Sequence, residues 1–372
     1  MQFKNIVGQQ IPKQILVRSV AENHVSHCLL FSGPAGAGNL PLAIAFANYI
    51  FCTDKIDGDA CGICTSCQKT SKLEHPDLHL AFPIILSKDK ETSDVFVAAW
   101  REAFLEQPYM GLEYWQKKMN AETKQPVIGK DQANEIIKKL QLKAFEGGFK
   151  IMVLWLPELM NAAASNKLLK IIEEPPPKTL FFLVCCQPET LLATIISRSQ
   201  LIKVNRLHEN EMATALIDYF QIEKSLAMNA AVNADGNYFE AIHLANQKEV
   251  ETDFESFRDL MRICFKGDVV RLIVWAETFA ANGREKLKGF LNYGLYVFRL
   301  CLVMNTKGEA FVKISGEELE FVKKFAPFVT EKNILAFCET FNTSIYNLER
   351  NANAKILMVD LVYKILMLLN KK

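Results

Sequence analysis

A chain of 372 residues is too long for one compact core and has room for two or three domains of roughly 100 to 200 residues. Half of the residues are hydrophobic, 23% are charged and 25 are phenylalanine, which excludes an intrinsically disordered chain. A formal net charge of +1 excludes a global field for nucleic acid or anionic lipid, so any such contact is local or shared with partners.

The start, MQFKNIVGQQ, lacks the basic-then-apolar pattern of a signal peptide, and no uninterrupted apolar run approaches the ~18 residues of a membrane span. A cytoplasmic protein without membrane contact is expected, and its ten cysteines then matter for their spacing rather than as disulfides. Residues 27–32 (HCLLFS) form a short apolar run entering a glycine cluster, and residues 43–51 follow with helical length: strand, glycine turn, helix. Pro41 fits the first turn of that helix, where the amide it lacks would have had no partner. A short strand is expected at 78–82. The polar stretch from Ser87 to Gln125 reads as an inserted helical excursion. Lys138, Lys139 and Lys143 are placed on one amphipathic helix, as a solvated face or, more sharply, a contact for a DNA backbone.

Residues 150–156 (KIMVLWL) and 179–185 (TLFFLVC) are near-continuous apolar runs that predict strands buried on both faces, with the helix NAAASNKLLKIIEE between them. Residues 201–204 add a last strand after an SRS turn. Strands alternating with helices predict a parallel α/β sheet covered on both sides and ending near Asn205. Beyond residue 208 the periodicity is helical. Gly236 and Asn237 are expected to break a small module, about 206–248, from a larger one. Asp268 is the expected cap of VVRLIVWAETFA, and Thr330 with Glu331 opens an amphipathic stretch reaching Leu348. The last helix, AKILMVDLVYKILMLL, is apolar around much of its circumference and needs partners on several sides, from its own bundle or from other subunits.

Cys52, Cys61, Cys64 and Cys67 form C-x8-C-x2-C-x2-C in a glycine-bearing loop. Four thiolates at this spacing can close a tetrahedral zinc site, and a filled set of four leaves no open position, so a structural Zn2+ is expected. The alternative is four unrelated buried thiols.

Residues 33–40, GPAGAGNL, have the glycine spacing of the phosphate-binding pattern GxxxxGK[ST]. Gly33, Gly36 and Gly38 are present, but Asn39 stands at the lysine position and Leu40 at the hydroxyl position. Asn39 supplies no charge and Leu40 no oxygen for magnesium. The strand KIMVLWL ends in Trp155 and Leu156, where an acidic pair would hold metal and water; the next acid, Glu158, follows Pro157. Concerted loss of lysine, hydroxyl and acids predicts a site that does not hydrolyse ATP or bind it productively. The glycines then serve as a tight turn.

Taken in order, IVGQ (6–9), FSGPAGAG (31–38), the four cysteines, HPD (75–77), NKLLKIIEEPP (166–176), TIISRS (194–199) and a helical C-terminal half resemble the bacterial clamp-loader subunits of the AAA+ superfamily, nearest the delta-prime type of DNA polymerase III. The resemblance spans the chain and is dense between residues 6 and 200. It implies an α/β AAA+ domain with a parallel sheet over 1–205, carrying the zinc module at 52–67 and an insertion at about 87–125. A helical lid over 206–248 and an all-α collar over 249–372 follow. It further implies a non-hydrolysing subunit that joins an ATPase subunit and a delta-like subunit in loading a sliding clamp onto primed DNA. In ATPase members of the family the arginine of this turn reaches the neighbour's ATP, where its planar guanidinium bridges γ-phosphate oxygens; Arg198, beside Ser197, is the match. The alternative for Arg198 is a surface arginine paired with a carboxylate.

Departures from the family pattern are the insertion, the altered loop residues, Cys185 where a sensor threonine is frequent, Phe239 in place of a sensor arginine, and Ser199 in place of the motif's cysteine. Glu173 and Glu174 point about 100° apart on a helix and do not converge as a catalytic pair, which leaves surface or subunit contacts. His75 reads as packing or turn chemistry. The rival reading is an autonomous P-loop ATPase with atypical residues, and a third is a zinc-dependent adaptor.

Overall fold

Five short strands pair in parallel into one sheet: β1 (Cys28–Ser32), β2 (Leu78–Ala81), β3 (Lys150–Trp155), β4 (Thr179–Cys185) and β5 (Gln200–Lys203), in the order β2-β3-β4-β1-β5. The computed structural model describes residues 1–86, 92–121, 124–246, 249–312, 314, 316–350 and 352–370, and the chain divides into units Met1–Ala245 and Asn246–Lys372.

In the first unit the helices are α1 (Gln10–Ala21), α2 (Asn39–Phe51), α3 (Thr65–Ser71), α4 (Val97–Glu106), α5 (Leu112–Lys118), α6 (Lys130–Gln141), α7 (Ala162–Glu173), α8 (Ala193–Ile196), α9 (Glu209–Phe220), α10 (Lys224–Asn233) and α11 (Tyr238–Asn246). Successive side chains of a strand point to opposite faces, so strands covered on both sides feed two buried clusters. Leu29, Phe31, Val153 and Phe182 join Ile44 and Phe46 of α2 and Trp100 and Trp115 of α4 and α5. Leu30, Met152, Phe181 and Leu183 join Ile136 and Leu140 of α6 and Leu168 and Ile172 of α7.

The expected excursion contains α4 and α5; residues 87–91 and 122–123 of that stretch lie outside the described residues. It is anchored on the sheet: Trp100 stacks on Phe82 at 5.0 Å, Trp115 meets the same ring edge-on at 5.3 Å, and Trp115 Nε1 donates to the Pro83 carbonyl at 2.8 Å. Lys143 is a correction. α6 ends at Gln141, because the buried Lys150 ammonium takes the Leu140 and Leu142 carbonyls, so Lys143 lies beyond the helix that carries Lys138 and Lys139. Those two pair with Glu135 and Asp94. Gly236 and Asn237 form the turn between α10 and α11, inside the small helical module rather than at its end.

The second unit is helical among its described residues: α12 (Glu249–Lys266), α13 (Val269–Ala280), α14 (Arg284–Lys307), α15 (Gly316–Phe325), α16 (Ile334–Glu349) and α17 (Ala354–Asn370). Its core is aromatic, built on Phe257, Phe290, Phe298, Phe325, Phe337 and Phe341. Asp268 caps α13, its carboxylate accepting the Arg271 amide at 3.1 Å. α16 starts at Ile334 and not at Thr330. The Asn333 side chain accepts the Thr330 amide at 2.8 Å and donates to the Phe328 carbonyl at 2.9 Å, a local turn that competes with the helix.

Among the described residues one helix segment, Lys286–Lys307, is long and apolar enough to cross a membrane by length and mean composition, although Lys288 and Arg299 interrupt its apolar run. Its Phe290, Leu291, Val297, Phe298 and Cys301 are buried in the core of this unit. On α17, Met358, Leu361 and Ile365 are buried, whereas Ile356, Tyr363 and Met367 are exposed. Ile356 and Tyr363, with exposed Val269 and Ile273 of α13, line an apolar groove.

Candidate functional site

Three sequence-predicted sites are separate in the first unit, and each is built by a different local device.

The glycine loop joins β1 to α2. Gly38 is the N-cap of α2 with φ +104°, and Gly36 has φ +71°. A Cβ on Gly36 would lie 1.7 Å from Asn237 Oδ1, and one on Gly33 2.1 Å from the Val204 carbonyl oxygen. The loop is closed by its own chain. Asn39 is 5% exposed, and its Nδ2 donates to the Gly33 carbonyl at 2.5 Å and the Cys185 carbonyl at 3.2 Å. A lysine would extend past these carbonyls toward a phosphate; the shorter amide is consumed by them. Leu40 is buried in the sheet's core cluster. Gln9 of the IVGQ segment donates to the Ala37 and Asn205 carbonyls at 3.0 and 2.6 Å, and the Tyr238 amide donates to the Gly36 carbonyl at 3.0 Å. At the end of β3, Trp155 and Leu156 are buried, and Glu158 accepts the Cys186 and Gln187 amides at 2.7 and 3.2 Å. That carboxylate holds the turn after β4 in place.

Gly36→Ala tests the packing role of the loop. A Cβ in left-handed backbone with Asn237 behind it costs about 2 to 4 kcal/mol, and the expected result is a matching fall in the urea midpoint of unfolding of the first unit. Gly111→Ala is the control, since a Cβ there meets nothing within 4 Å and the φ is negative.

The four cysteines converge at the end of α2. Cys52 is the C-cap of α2, Cys64 the N-cap of α3, and Cys67 lies in its first turn. Their sulfurs lie within 4.8 Å of one another, Cys61 and Cys67 at 3.9 Å. Tetrahedral zinc with Zn–S of ~2.3 Å sets sulfurs about 3.8 Å apart, so the donor set fits that ion. The amides of Cys61, Cys64 and Cys67 donate to the sulfurs of Cys52, Cys61 and Cys64 at 3.2, 3.3 and 3.5 Å, a second shell suited to thiolates. Burial pushes the Cys52 and Cys67 thiols up. At Cys64 burial acts the same way but is outweighed by hydrogen bonds from Thr53 and Cys67, which bring the thiol to about 6. Without a cation the group resists full ionisation; a divalent ion removes that resistance.

The module is tied to its surroundings. Asp59 accepts the Phe3 and Lys4 amides, both at 2.9 Å, and Gln2 Nε2 donates to the Ala60 carbonyl at 2.5 Å. His75 is buried, stacks on Phe51 at 3.9 Å and faces Glu146 at 3.2 Å, and Glu146 also pairs with Lys69 of α3 at 2.6 Å. Asp77 accepts the Phe145 and Glu146 amides at 2.6 and 2.9 Å. The HPD segment thereby joins the cysteine module to the loop after α6.

Arg198 stands in the turn between α8 and β5. Its Nη2 donates to Glu173 at 2.9 Å, its Nη1 to the Thr194 carbonyl at 3.1 Å, and its side chain is 32% exposed. The hydrogen bond from Arg198 holds the Glu173 carboxyl below its ordinary range. Ser197 donates to the Thr194 carbonyl at 3.2 Å; Ser199 donates to the Ile195 carbonyl at 2.8 Å and lies 3.2 Å from the Cys28 sulfur of β1. The structure thus brings Arg198 and the first EEPP glutamate together, a pairing that a separation of 25 residues conceals in the sequence.

Sequence reasoning missed Tyr109, whose ring covers Gly38, and the placement of Asn237 against Gly36. Gly36 carries the available signal, since a glycine inside a turn points to positive φ or to close approach by another part of the chain.

A family model described as DNA polymerase III, delta subunit, matches residues 8–208, more than half of the chain. DNA polymerase III subunit delta' of Bacillus subtilis is 27% identical over 236 residues, 63% of this chain and 59% of that protein. The Escherichia coli subunit delta' is 31% identical over 186 residues, 50% of this chain and 44% of that protein. The chain spans about half the length of the curated relatives it matches. A DNA polymerase III gamma subunit-related protein from Thermotoga maritima aligns in structure with a TM-score of 0.40 at 14% identity, covering 95% of this chain and 97% of that one.

Proposed function

The chain belongs to the family DNA polymerase III, delta subunit, and from that premise we propose that it is a non-hydrolysing, delta-prime-like subunit of the clamp loader. In this reading it sits beside an ATPase subunit and a delta-like subunit while the complex places a sliding clamp on primed DNA. Residues 1–205 act as the AAA+ domain, 206–248 as its lid and 249–372 as a collar whose apolar face on α13 and α17 meets other subunits. Arg198 is the arginine finger for a neighbour's ATP, and Cys52, Cys61, Cys64 and Cys67 hold a structural zinc.

The observation that carries the non-hydrolysing part is the state of Asn39: its amide is spent on the carbonyls of Gly33 and Cys185, inside the loop that would have to serve a phosphate. Binding of a labelled ATP analogue to the isolated chain, with and without magnesium, tests it, followed by mixing with the ATPase and delta-like subunits of the same cell. The expected result is no tight magnesium-dependent binding, a stable complex by sedimentation, and ATP-driven clamp loading that requires this chain. Tight binding with turnover by the isolated chain overturns the reading in favour of an autonomous ATPase. Failure to enter the complex favours a zinc-dependent adaptor.

A further inference from the structure

We infer that Tyr109 fastens the helical bundle α9–α11 onto the glycine loop from within the chain, so that the placement of this bundle does not depend on nucleotide. The nucleotide independence rests on the reading that the glycine loop binds no ATP productively; the strap itself is tested by the Tyr109 variants without nucleotide.

Tyr109 lies between α4 and α5 and is 7% exposed. One edge of its ring covers the start of α2: Cε1 is 3.2 Å from where a Cβ on Gly38 would stand. Phosphates bind to a loop of this kind at the N-terminus of the following helix, and the ring lies over that end. The hydroxyl accepts the Val7 amide at 2.8 Å, which ties in the N-terminal segment. On its other side the ring meets Tyr238 of α11 edge-on, centroids 4.9 Å apart at 72°.

Tyr109 is buried with Met212, Leu216, Ala227, Ala231 and Ala241 of the bundle, not with the clusters that line the sheet. A ring that merely fills the core of its own layer would pack with α4 and α5. A second contact repeats the pattern, Tyr114 of α5 against Phe239 of α11 at 5.5 Å. Tyr238 in turn donates its amide to the Gly36 carbonyl, and Asn237 lies against Gly36. Because Trp100 and Trp115 anchor α4 and α5 on the sheet through Phe82 and Pro83, the strap has a fixed base. Loop, N-terminal segment and bundle therefore meet on one side chain.

Hydrogen exchange on the full chain, read by mass spectrometry for wild type, Tyr109→Phe and Tyr109→Ala, with and without ATP and magnesium, tests this. Tyr109→Phe removes the acceptor of the Val7 amide, and exchange at residues 7–9 is expected to rise ~10-fold while the bundle stays protected. Tyr109→Ala is expected to raise exchange across residues 209–245 by ~10-fold or more and to leave β3, β4 and residues 249–312 as in wild type. ATP with magnesium is expected to change nothing in wild type. Wild-type protection of the bundle in Tyr109→Ala overturns the inference, as does slowing of exchange in the wild-type bundle by ATP. Should Tyr109→Ala fail to fold, Tyr238→Leu removes the partner ring from the other side and is read in the same way.

Discussion

Replacing Arg198 with alanine is expected to leave the isolated chain folded and to lower ATP turnover at the neighbouring site of the reconstituted loader by ~10³-fold, the low end for an arginine finger. The two expectations follow from where the guanidinium sits. Its partners at rest are an exposed carboxylate, Glu173, and one carbonyl, Thr194. Surface ion pairs of this kind contribute little to stability, so their loss leaves the thermal midpoint of the isolated chain near that of wild type. A phosphoryl group in transfer presents several charged oxygens to the same planar fork in a water-poor interface, where the interaction is much stronger. Arg198→Lys separates charge from shape: a point charge cannot bridge two oxygens, and most of the loss is expected to remain. Glu173→Gln weakens the resting pair and is expected to leave turnover close to wild type. Turnover unchanged in Arg198→Ala, measured with clamp and primed DNA present, removes the finger assignment and leaves Arg198 as the tie between α7 and the turn before β5.

The central strands were legible because they are buried on both faces and therefore run apolar: TLFFLVC is β4 to the residue, and KIMVLWL exceeds β3 by one, whereas the edge strand β5 is exposed at three of its four residues. Helix ends were less legible, because they depend on side chains that arrive from elsewhere. Lys150 ends α6 by taking carbonyls from a strand nine residues on from Gln141, and Asn333 delays α16 by bonding its own neighbours. The convergence of the four cysteines could be read from spacing because they lie within 16 residues of one another in a single loop and helix start. The Arg198–Glu173 pair could not, since each residue belongs to its own motif and only the packing of α8 against α7 brings them together. Tyr109 left no local trace: its partners are Val7, Gly38 and Tyr238, far from it in sequence, and a tyrosine in a polar insertion looks like any other. What sequence reading supplied at the glycine loop was that Asn39 and Leu40 stand at the lysine and hydroxyl positions. What it lacked was the set of contacts that Asn39, Asn237 and Tyr109 make there.

Removing one cysteine ligand is expected to have the larger structural effect. Cys61→Ser should abolish stoichiometric zinc, measured by a colorimetric chelator on protein purified without chelating agents, while Cys338→Ser, in the second unit, retains one ion per chain. The four sulfurs sit within 4.8 Å, so no other donor set among the described residues replaces a lost ligand. The consequence spreads because the loop carries the N-terminus on its back. Asp59 holds the Phe3 and Lys4 amides and the Ala60 carbonyl holds Gln2, and Phe3 is itself part of the sheet's core, 5.5 Å from Tyr49 and 6.5 Å from Phe46. Zinc affinity in small peptides is worth about 10 to 16 kcal/mol, but this loop is attached to a domain with a core of its own. A loss of about 3 to 5 kcal/mol for the first unit is therefore expected, as for other disrupted metal sites. In a urea titration that loss appears as an early transition of the first unit, with the helical second unit unfolding where it does in wild type. A chelator added to wild type should reproduce the same early transition, and zinc should reverse it. Full zinc content in Cys61→Ser, or none in the wild-type protein, removes the metal assignment and returns the cluster to four packed thiols.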